Sequence, residues 1–200
     1  MNPPADIRVE ASAELSENRL TIKYTVTNIS KGALLIFDDR MIESRRTNPT
    51  KVLHSSRAIV VYNGQQNQWH LILGYNRPNG SHETAMAHFS SALQQLAPFQ
   101  AFSGEINLAI DAQCISEWNP NSAIQLNRSP SRTGPLPDNI YLTCMYAVPD
   151  SNVSQYSESV AHHDGSGSTQ VSFFRISPPN SPTLKAQTIL IRVPISSAPG

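Results

Sequence analysis

The sequence predicts an all-β protein, a single β-sandwich domain that spans residues 1–200 and contains about eight to ten strands. Apolar side chains alternate with polar ones from Leu20 to Val26, and because successive strand residues point to opposite faces, this predicts a strand with one buried face. An unbroken apolar run from Leu34 to Phe37 predicts a strand covered on both faces. Charged residues make up only 15% of the chain and prolines number fifteen, which favours short strands joined by polar turns.

The first predicted hairpin pairs residues 7–15 with residues 20–26. Both segments alternate between apolar and polar side chains, and the short polar turn at 16–18 joins them. Residues 28–32, Asn-Ile-Ser-Lys-Gly, then break the alternation with turn-forming side chains before the apolar run begins. The pattern therefore predicts a strand, a turn and a second, more deeply buried strand.

Further strands are predicted wherever the alternation returns. A second hairpin joins residues 58–62 to residues 68–75 across the turn signal Asn63-Gly64. The remaining predicted strands are 102–110, 140–146, 171–176 and 189–193. Their spacing is typical of an antiparallel sandwich or barrel.

The polar segments between these strands predict long loops at 38–56 and 150–169, a loop at 76–83 and a frayed tail at 196–200. Residues 84–97 fit two structures. Their apolar spacing and their Ala, Gln and Leu content suit a short helix, whereas two extended pieces at 84–89 and 91–96 suit the neighbouring strands, and this context favours the extended form.

Composition narrows the function classes. The formal net charge is zero, so the chain lacks the basic surplus that neutralises phosphates, and a nucleic-acid partner is not expected. There is no apolar run long enough for a transmembrane helix and no secretory leader, which predicts a cytoplasmic protein, or a periplasmic or secreted one if a leader has been removed. Cys114 and Cys144 lie on or beside apolar strand candidates and are expected to be buried thiols, with a disulfide as the alternative. The oligomeric state is left open.

No catalytic, cofactor-binding or metal-binding residue is assigned, and no cofactor is expected. His162, His163 and Asp164 are the one candidate metal group, but neighbouring residues on an extended chain point to opposite faces, so an exposed polar loop is the simpler interpretation. Trp118 stands in a turn and, with nearby tyrosines, is a candidate platform for stacking a sugar, whereas Trp69 is expected in the core.

Two stretches carry a resemblance to a known group of proteins. Tyr24 to Ser30, which fits Y-x-V-x-N-x-S and precedes an apolar strand, resembles the second and third strands of bacterial immunoglobulin-like sandwich modules. Leu96-Ala97-Pro98 leading into residues 102–108 is similar to a later stretch of those modules, except that Phe99 stands where glycine usually follows the proline. The resemblance implies an immunoglobulin-like fold and carries no site residues with it.

The predicted function is that of a non-enzymatic interaction module that binds a protein partner through its loops at 38–56, 76–83 and 150–169. Loops on a rigid sandwich commonly carry recognition. A carbohydrate-binding module that uses Trp118 is the first alternative. A metal-binding or metal-dependent enzyme domain centred on residues 162–164 is the second.

Overall fold

The computed structural model describes residues 6–16, 19–45, 48–55, 58–63, 68–74, 87–109, 139–149, 153–162, 165–176 and 185–193. Every regular element in these residues is a β-strand. The strands are β1 Ile7–Ser16, β2 Arg19–Asn28, β3 Leu34–Arg45, β4 Asn48–His54, β5 Ile59–Asn63, β6 Gln68–Leu73, β7 Ala87–Leu96, β8 Ala101–Ala109, β9 Asn139–Ala147, β10 Val153–His162, β11 Ser168–Ile176 and β12 Lys185–Arg192.

The strands form two sheets that pack against each other. The smaller sheet has the order β1-β2-β8, and both of its pairings are antiparallel. The larger sheet has nine strands in the order β11-β10-β4-β3-β9-β6-β5, with β12 beside β9 and β7 beside β3. One hydrophobic cluster takes side chains from both sheets, among them Ile22 and Leu142. The predicted all-β sandwich is therefore confirmed, and its immunoglobulin-like identity stays a prediction.

The first hairpin forms between the predicted segments, as β1 paired with β2. Ile7 pairs with Asn28 and Leu15 pairs with Leu20, so the alternating apolar residues of β1 and β2 share one face. On β2 this inner face is fully buried between the sheets, and the side chains on the other face are exposed or half-buried. Each buried aliphatic side chain stabilises the fold by about 1.5–3 kcal/mol, which fixes the register because a slip of one residue would expose the whole set.

The apolar run at the start of β3 is buried on both faces, as predicted. Leu34 and Ile36 contribute to the cluster between the sheets, whereas Leu35 and Phe37 join a second cluster with Leu93. The same strand is flanked by β7 on one edge and by β9 and then β4 on the other. This central position explains why its first four residues carry no polar side chain.

Several loop predictions are wrong, because polar segments also form strands where neighbouring strands supply backbone partners. Residues 38–56 were expected as a loop, but β3 continues to Arg45 and β4 occupies most of the remainder. Residues 150–169 were also expected as a loop, and β10 and the start of β11 lie there. These strands raise the count to twelve within the described residues, above the predicted eight to ten.

The larger sheet also decides the structure of residues 87–96 and the relative directions of the strands. Residues 87–96 form strand β7 beside β3, so the helical alternative for this part of 84–97 is wrong. Leu93 and Leu96 are three positions apart and therefore lie on opposite faces of the strand, where they join different hydrophobic clusters. The larger sheet is mixed rather than purely antiparallel, because β10 pairs with β4 and β6 pairs with β9 in parallel. Residues 76–83 and the tail at 196–200 lie outside the described part of the chain.

Candidate functional site

A bulge in the middle of β3 gathers most of the buried charge. Phe37 pairs with Leu93 and Met41 pairs with Ser91, so the three residues from 38 to 40 lie opposite a single residue of β7. Such a bulge turns side chains towards places that a regular strand does not reach. Here it turns a carboxylate, Asp38, into the interior, where the side chain is fully buried.

Asp38 is held by four hydrogen bonds. The Arg40 amide donates to Oδ1 at 2.8 Å, and the Arg40 guanidinium donates to Oδ2 from two nitrogens at 2.8 and 2.6 Å. Gln94 Nε2 on β7 donates to the same Oδ2 at 2.8 Å. Burial opposes the charged form of Arg40, but the hydrogen bond and charge of Asp38 raise the pKa of the guanidinium above its usual value. The ion pair lies within the bulge, and the Gln94 hydrogen bond joins the bulge to β7.

The next residue of the bulge reaches the other sheet. The Tyr24 hydroxyl of β2 donates to Asp39 Oδ1 at 3.1 Å. Burial, and then the negative charge of Asp38, raise the pKa of Asp39, while burial and both carboxylates raise the pKa of Tyr24. The ring of Tyr24 meets Phe102 edge-on, with centroids 5.9 Å apart, and lies against Gly104, where a Cβ would come within 2.3 Å of the hydroxyl oxygen.

The hydrogen-bonded cluster around Asp38 and Asp39 links the two sheets and has the features of a structural contact, not of a reactive centre. Each carboxylate already accepts hydrogen bonds from the groups around it, and no buried side-chain nitrogen or oxygen in the described residues lacks a partner. A catalytic acid or base needs an open side from which a substrate can approach. The described residues also contain no group of three or more His, Cys, Asp or Glu placed to hold a metal ion.

The outer face of the smaller sheet carries a shallow, open depression of about 680 Å³. Its polar side chains are largely engaged with one another or with near neighbours. Thr25 and Ser103 share a hydrogen bond of 2.8 Å, and Lys23 bonds to Glu14 at 2.9 Å. The lining contains no histidine or cysteine, so it supplies no side chain that titrates near neutral pH. It is an ordinary solvated sheet face.

A different feature organises one end of the sandwich. Asn28, the last residue of β2, is fully buried, and its side-chain nitrogen contacts three backbone carbonyl oxygens: Gly32 at 2.8 Å, and Leu96 and Ala97 at 3.1 Å each. Its Oδ1 accepts hydrogen bonds from the amide and hydroxyl of Ser30 at 2.9 and 2.8 Å. One side chain thus joins the β2–β3 loop to the β7–β8 turn. We call this network the Asn28 clamp.

The β7–β8 turn holds a non-glycine residue in the left-handed region. Gln100 donates its amide to the carbonyl of Ala97 at 3.1 Å, with Pro98 and Phe99 as the central residues. Phe99 has φ of 63°, which is the conformation that a glycine normally supplies at this place in a type II turn. The Phe99 amide donates to the Asn28 carbonyl at 2.9 Å, so the strained residue is fixed to the Asn28 clamp.

The phenyl ring of Phe99 is 73% exposed. Two more of the four large apolar side chains that are exposed in the described residues lie at the same end, Ile29 at 44% and Val148 at 46%. Val148 follows the last residue of β9, whose neighbour across the sheet is Leu35 near the start of β3. We call Ile29, Phe99 and Val148 the apolar tip. The fourth exposed apolar residue, Leu190, lies within β12, paired with Tyr141.

Several of the residues that the sequence singled out for chemistry lie outside the described residues. His162 ends β10, and its backbone pairs with Gly165 and Gly167 in the turn to β11, while His163 and Asp164 lie outside the described residues. Trp69 is buried in the core, as expected. Trp118 and Cys114 also lie outside the described residues. Cys144 is a free thiol in the core, and burial raises its pKa to about 12.

The sequence alone does not reveal the apolar tip as a site. The Asn-x-Ser of residues 28–30 and the phenylalanine after Pro98 each indicate a local turn and not a shared surface. Only their contact across 70 residues of sequence makes them one surface.

Comparison of the chain with models of known protein families gives no match, and comparison with curated protein sequences gives none either. In the described part of the chain, no helix has the length and apolar character needed to cross a membrane.

Proposed function

We propose that this chain is a non-enzymatic β-sandwich module that binds a protein partner through the apolar tip. The observation that carries the proposal is Phe99, a large apolar side chain that is 73% exposed on a backbone with positive φ. The left-handed conformation costs a non-glycine residue about 1–2 kcal/mol. The fold recovers little of that cost, because the exposed ring buries little apolar surface within the chain.

Strained and exposed residues of this kind are typical of binding surfaces. Fully burying an apolar side chain is worth about 1.5–3 kcal/mol, so covering the exposed parts of the three tip residues would contribute roughly 4 kcal/mol to binding. This is the scale of an interface hot spot. The Asn28 clamp fixes the backbone beneath the ring in advance, which lowers the entropy lost on association.

The proposal moves the binding surface away from the loops expected from sequence. Residues 38–45 and 48–54 belong to strands, as do residues 153–162, so they are not free recognition loops. Trp118, His163 and Asp164, on which the two alternatives depend, lie outside the described residues. A single exposed aromatic side chain on a rigid turn fits a protein partner that has a pocket for the phenyl ring.

The experiment begins with the photoreactive residue p-benzoylphenylalanine at position 99, which keeps an aromatic ring there. A protein cross-linked in cells that express the chain is identified, purified and titrated against the wild type, Phe99→Gly and Leu190→Ser. We expect Phe99→Gly to weaken the affinity about 30-fold, since about 2 kcal/mol of ring burial is lost. Leu190→Ser removes an exposed apolar side chain elsewhere and should leave the affinity unchanged.

The same variant has a second readout in the free protein. Glycine relieves the strain at position 99 but is more flexible in the unfolded chain, so Phe99→Gly should be more stable than the wild type by about 0.5–1 kcal/mol. Higher stability together with weaker binding is the result expected when a residue serves function at the expense of stability. Unchanged affinity of Phe99→Gly for the purified partner would overturn the proposal, and so would equal losses in Phe99→Gly and Leu190→Ser.

A further inference from the structure

Residues 28–30, Asn-Ile-Ser, match the N-x-S sequence at which oligosaccharyltransferases attach a glycan to an asparagine nitrogen. An acceptor sequence that is used normally lies in a surface loop. Here the asparagine is fully buried at the end of β2. The nitrogen that would accept the glycan is the same atom that the Asn28 clamp uses as its donor.

Glycosylation and the Asn28 clamp therefore compete for one atom. In the reaction a bond forms between Asn28 Nδ2 and the first carbon of a lipid-linked oligosaccharide. The lipid pyrophosphate leaves with the electron pair of the broken sugar–oxygen bond, and Nδ2 gives up one of its two protons. In the fold this nitrogen contacts the carbonyl oxygens of Gly32 at 2.8 Å and of Leu96 and Ala97 at 3.1 Å each. A sugar bonded to it would have to occupy the place of these oxygen atoms.

The order of synthesis decides which of the two comes first. Gly32 follows Asn28 by four residues, but Leu96 and Ala97 follow it by 68 and 69 residues. Synthesis at about 5–20 residues per second separates Asn28 from these later partners by roughly 3–14 s. During that interval the clamp lacks the β7–β8 turn that closes it, so the acceptor nitrogen is not yet enclosed.

We infer that Asn28 is an acceptor site that folding closes: it is open to N-glycosylation on the growing chain, closed in the folded protein, and incompatible with the native fold once a glycan is attached. This inference is independent of any partner at the apolar tip. It predicts two fates for one sequence. A chain that folds where no oligosaccharyltransferase acts forms the clamp, whereas a chain translocated past that enzyme is modified and does not form it.

Ser30 provides a variant that separates the glycan from the clamp. Its hydroxyl is required for the acceptor sequence, and in the fold it donates to Asn28 Oδ1 at 2.8 Å. Ser30→Ala therefore abolishes the acceptor sequence and removes the hydroxyl from the clamp, but it keeps the Asn28 nitrogen and its three carbonyl contacts. Ser30→Thr is the matched control, because it keeps both a hydroxyl and an acceptor sequence.

The test compares wild type, Ser30→Ala and Ser30→Thr made by two routes. One route is the cytoplasm of a bacterial host without oligosaccharyltransferase, and the other is secretion from mammalian cells behind a cleavable leader. All chains also carry Asn79→Gln, Asn127→Gln and Asn152→Gln, which remove the other three N-x-S sequences. Peptide-N-glycosidase F in heavy-oxygen water marks a glycosylated asparagine by its mass, and urea unfolding measures how much of the purified protein is native.

The two routes should rank the variants in opposite orders. From the cytoplasm, Ser30→Ala should have a lower urea midpoint than wild type, because it lacks the clamp hydroxyl. From the secretory route, wild type and Ser30→Thr should carry a glycan at Asn28 and yield several-fold less native protein than Ser30→Ala. Native wild type with a glycan on Asn28 would overturn the inference, and so would wild type that passes through this route with Asn28 unmodified.

A second measurement does not depend on how the variants fold. Native wild type from the cytoplasm is incubated with purified oligosaccharyltransferase and a lipid-linked oligosaccharide, before and after unfolding in urea and dilution into the reaction. We expect no product at Asn28 from the native protein and modification of the freshly diluted chain, because Asn28 is fully buried only in the fold. Equal modification of both samples would contradict the closed site.

Discussion

Replacing Asn28 with alanine removes the side chain that joins the two loops at the apolar tip. The amide nitrogen has two hydrogens, so it satisfies two of its three carbonyl contacts at once, and Oδ1 accepts two more hydrogen bonds. Four hydrogen bonds of a buried side chain at about 1 kcal/mol each give an expected loss of about 4 kcal/mol in the free energy of unfolding. For a chain of this length that corresponds to a fall in Tm of roughly 8–16 °C.

The assay is urea unfolding followed by far-ultraviolet circular dichroism, with the m-value checked so that the midpoint reports stability. Asn139→Ala is the matched control, because Asn139 is an exposed asparagine at the start of β9. Its replacement should cost less than about 0.5 kcal/mol. An Asn28→Ala loss no larger than the control's would refute the clamp as described.

Asn28→Asp makes the test sharper because it changes one atom. The carboxylate still accepts the hydrogen bonds from Ser30, but its second oxygen faces the carbonyls of Gly32, Leu96 and Ala97. At neutral pH this variant should be at least as unstable as Asn28→Ala. Acidification should restore part of the stability, because a protonated carboxyl regains one donor. A pH-independent defect would show that the lost donor is not the cause.

Three further results are expected. Gly104→Ala should lower the free energy of unfolding in urea by about 1–3 kcal/mol, because the new Cβ would collide with the buried Tyr24 side chain. Gly32→Ala is the control, since a Cβ there meets nothing within 4 Å and should leave stability nearly unchanged. Equal losses in the two variants would contradict this packing. Asp39→Asn should stabilise the protein at about pH 7 and not at about pH 3. The pKa of Asp39 is raised in the folded state, so the folded protein loses stability as the pH rises through that pKa and the side chain becomes charged, whereas asparagine stays neutral. An equal gain at both pH values would argue against this. Burial raises the pKa of the Cys144 thiol to about 12, so Cys144 should not react with a maleimide in the native protein and should react after unfolding. Peptide mass spectrometry measures the labelling, and rapid labelling of the native protein would mean that the core is open at Cys144.

The sequence by itself determined the class of the fold and the pairing of its local elements. The period-two alternation in β1 and β2 predicted their common face, because Leu20, Ile22 and Val26 all point to the same side of the strand. The four-residue apolar run of β3 likewise fixed its place at the centre of a sheet. These features depend on neighbours in sequence, so periodicity reveals them.

Polar strands gave no such signal. Residues 48–54 and 153–162 form strands inside the large sheet. Each pairs with the neighbouring strand in sequence, β3 or β11, and the two also pair with each other in parallel across a long sequence separation. The bulge that buries Asp38 beside Gln94 is equally a product of tertiary packing, since the sequence shows two adjacent acids with no sign of which one faces inwards.

The candidate site divides in the same way. The sequence already contained Asn28 and Ser30 in a turn and Phe99 in the place of a glycine. The tertiary structure decided that these residues meet, because Asn28 needs carbonyl partners in the β7–β8 turn to satisfy a buried amide. That requirement holds Phe99 in a strained turn next to the backbone of Asn28 with its side chain exposed, an arrangement that no pattern in the linear sequence could indicate.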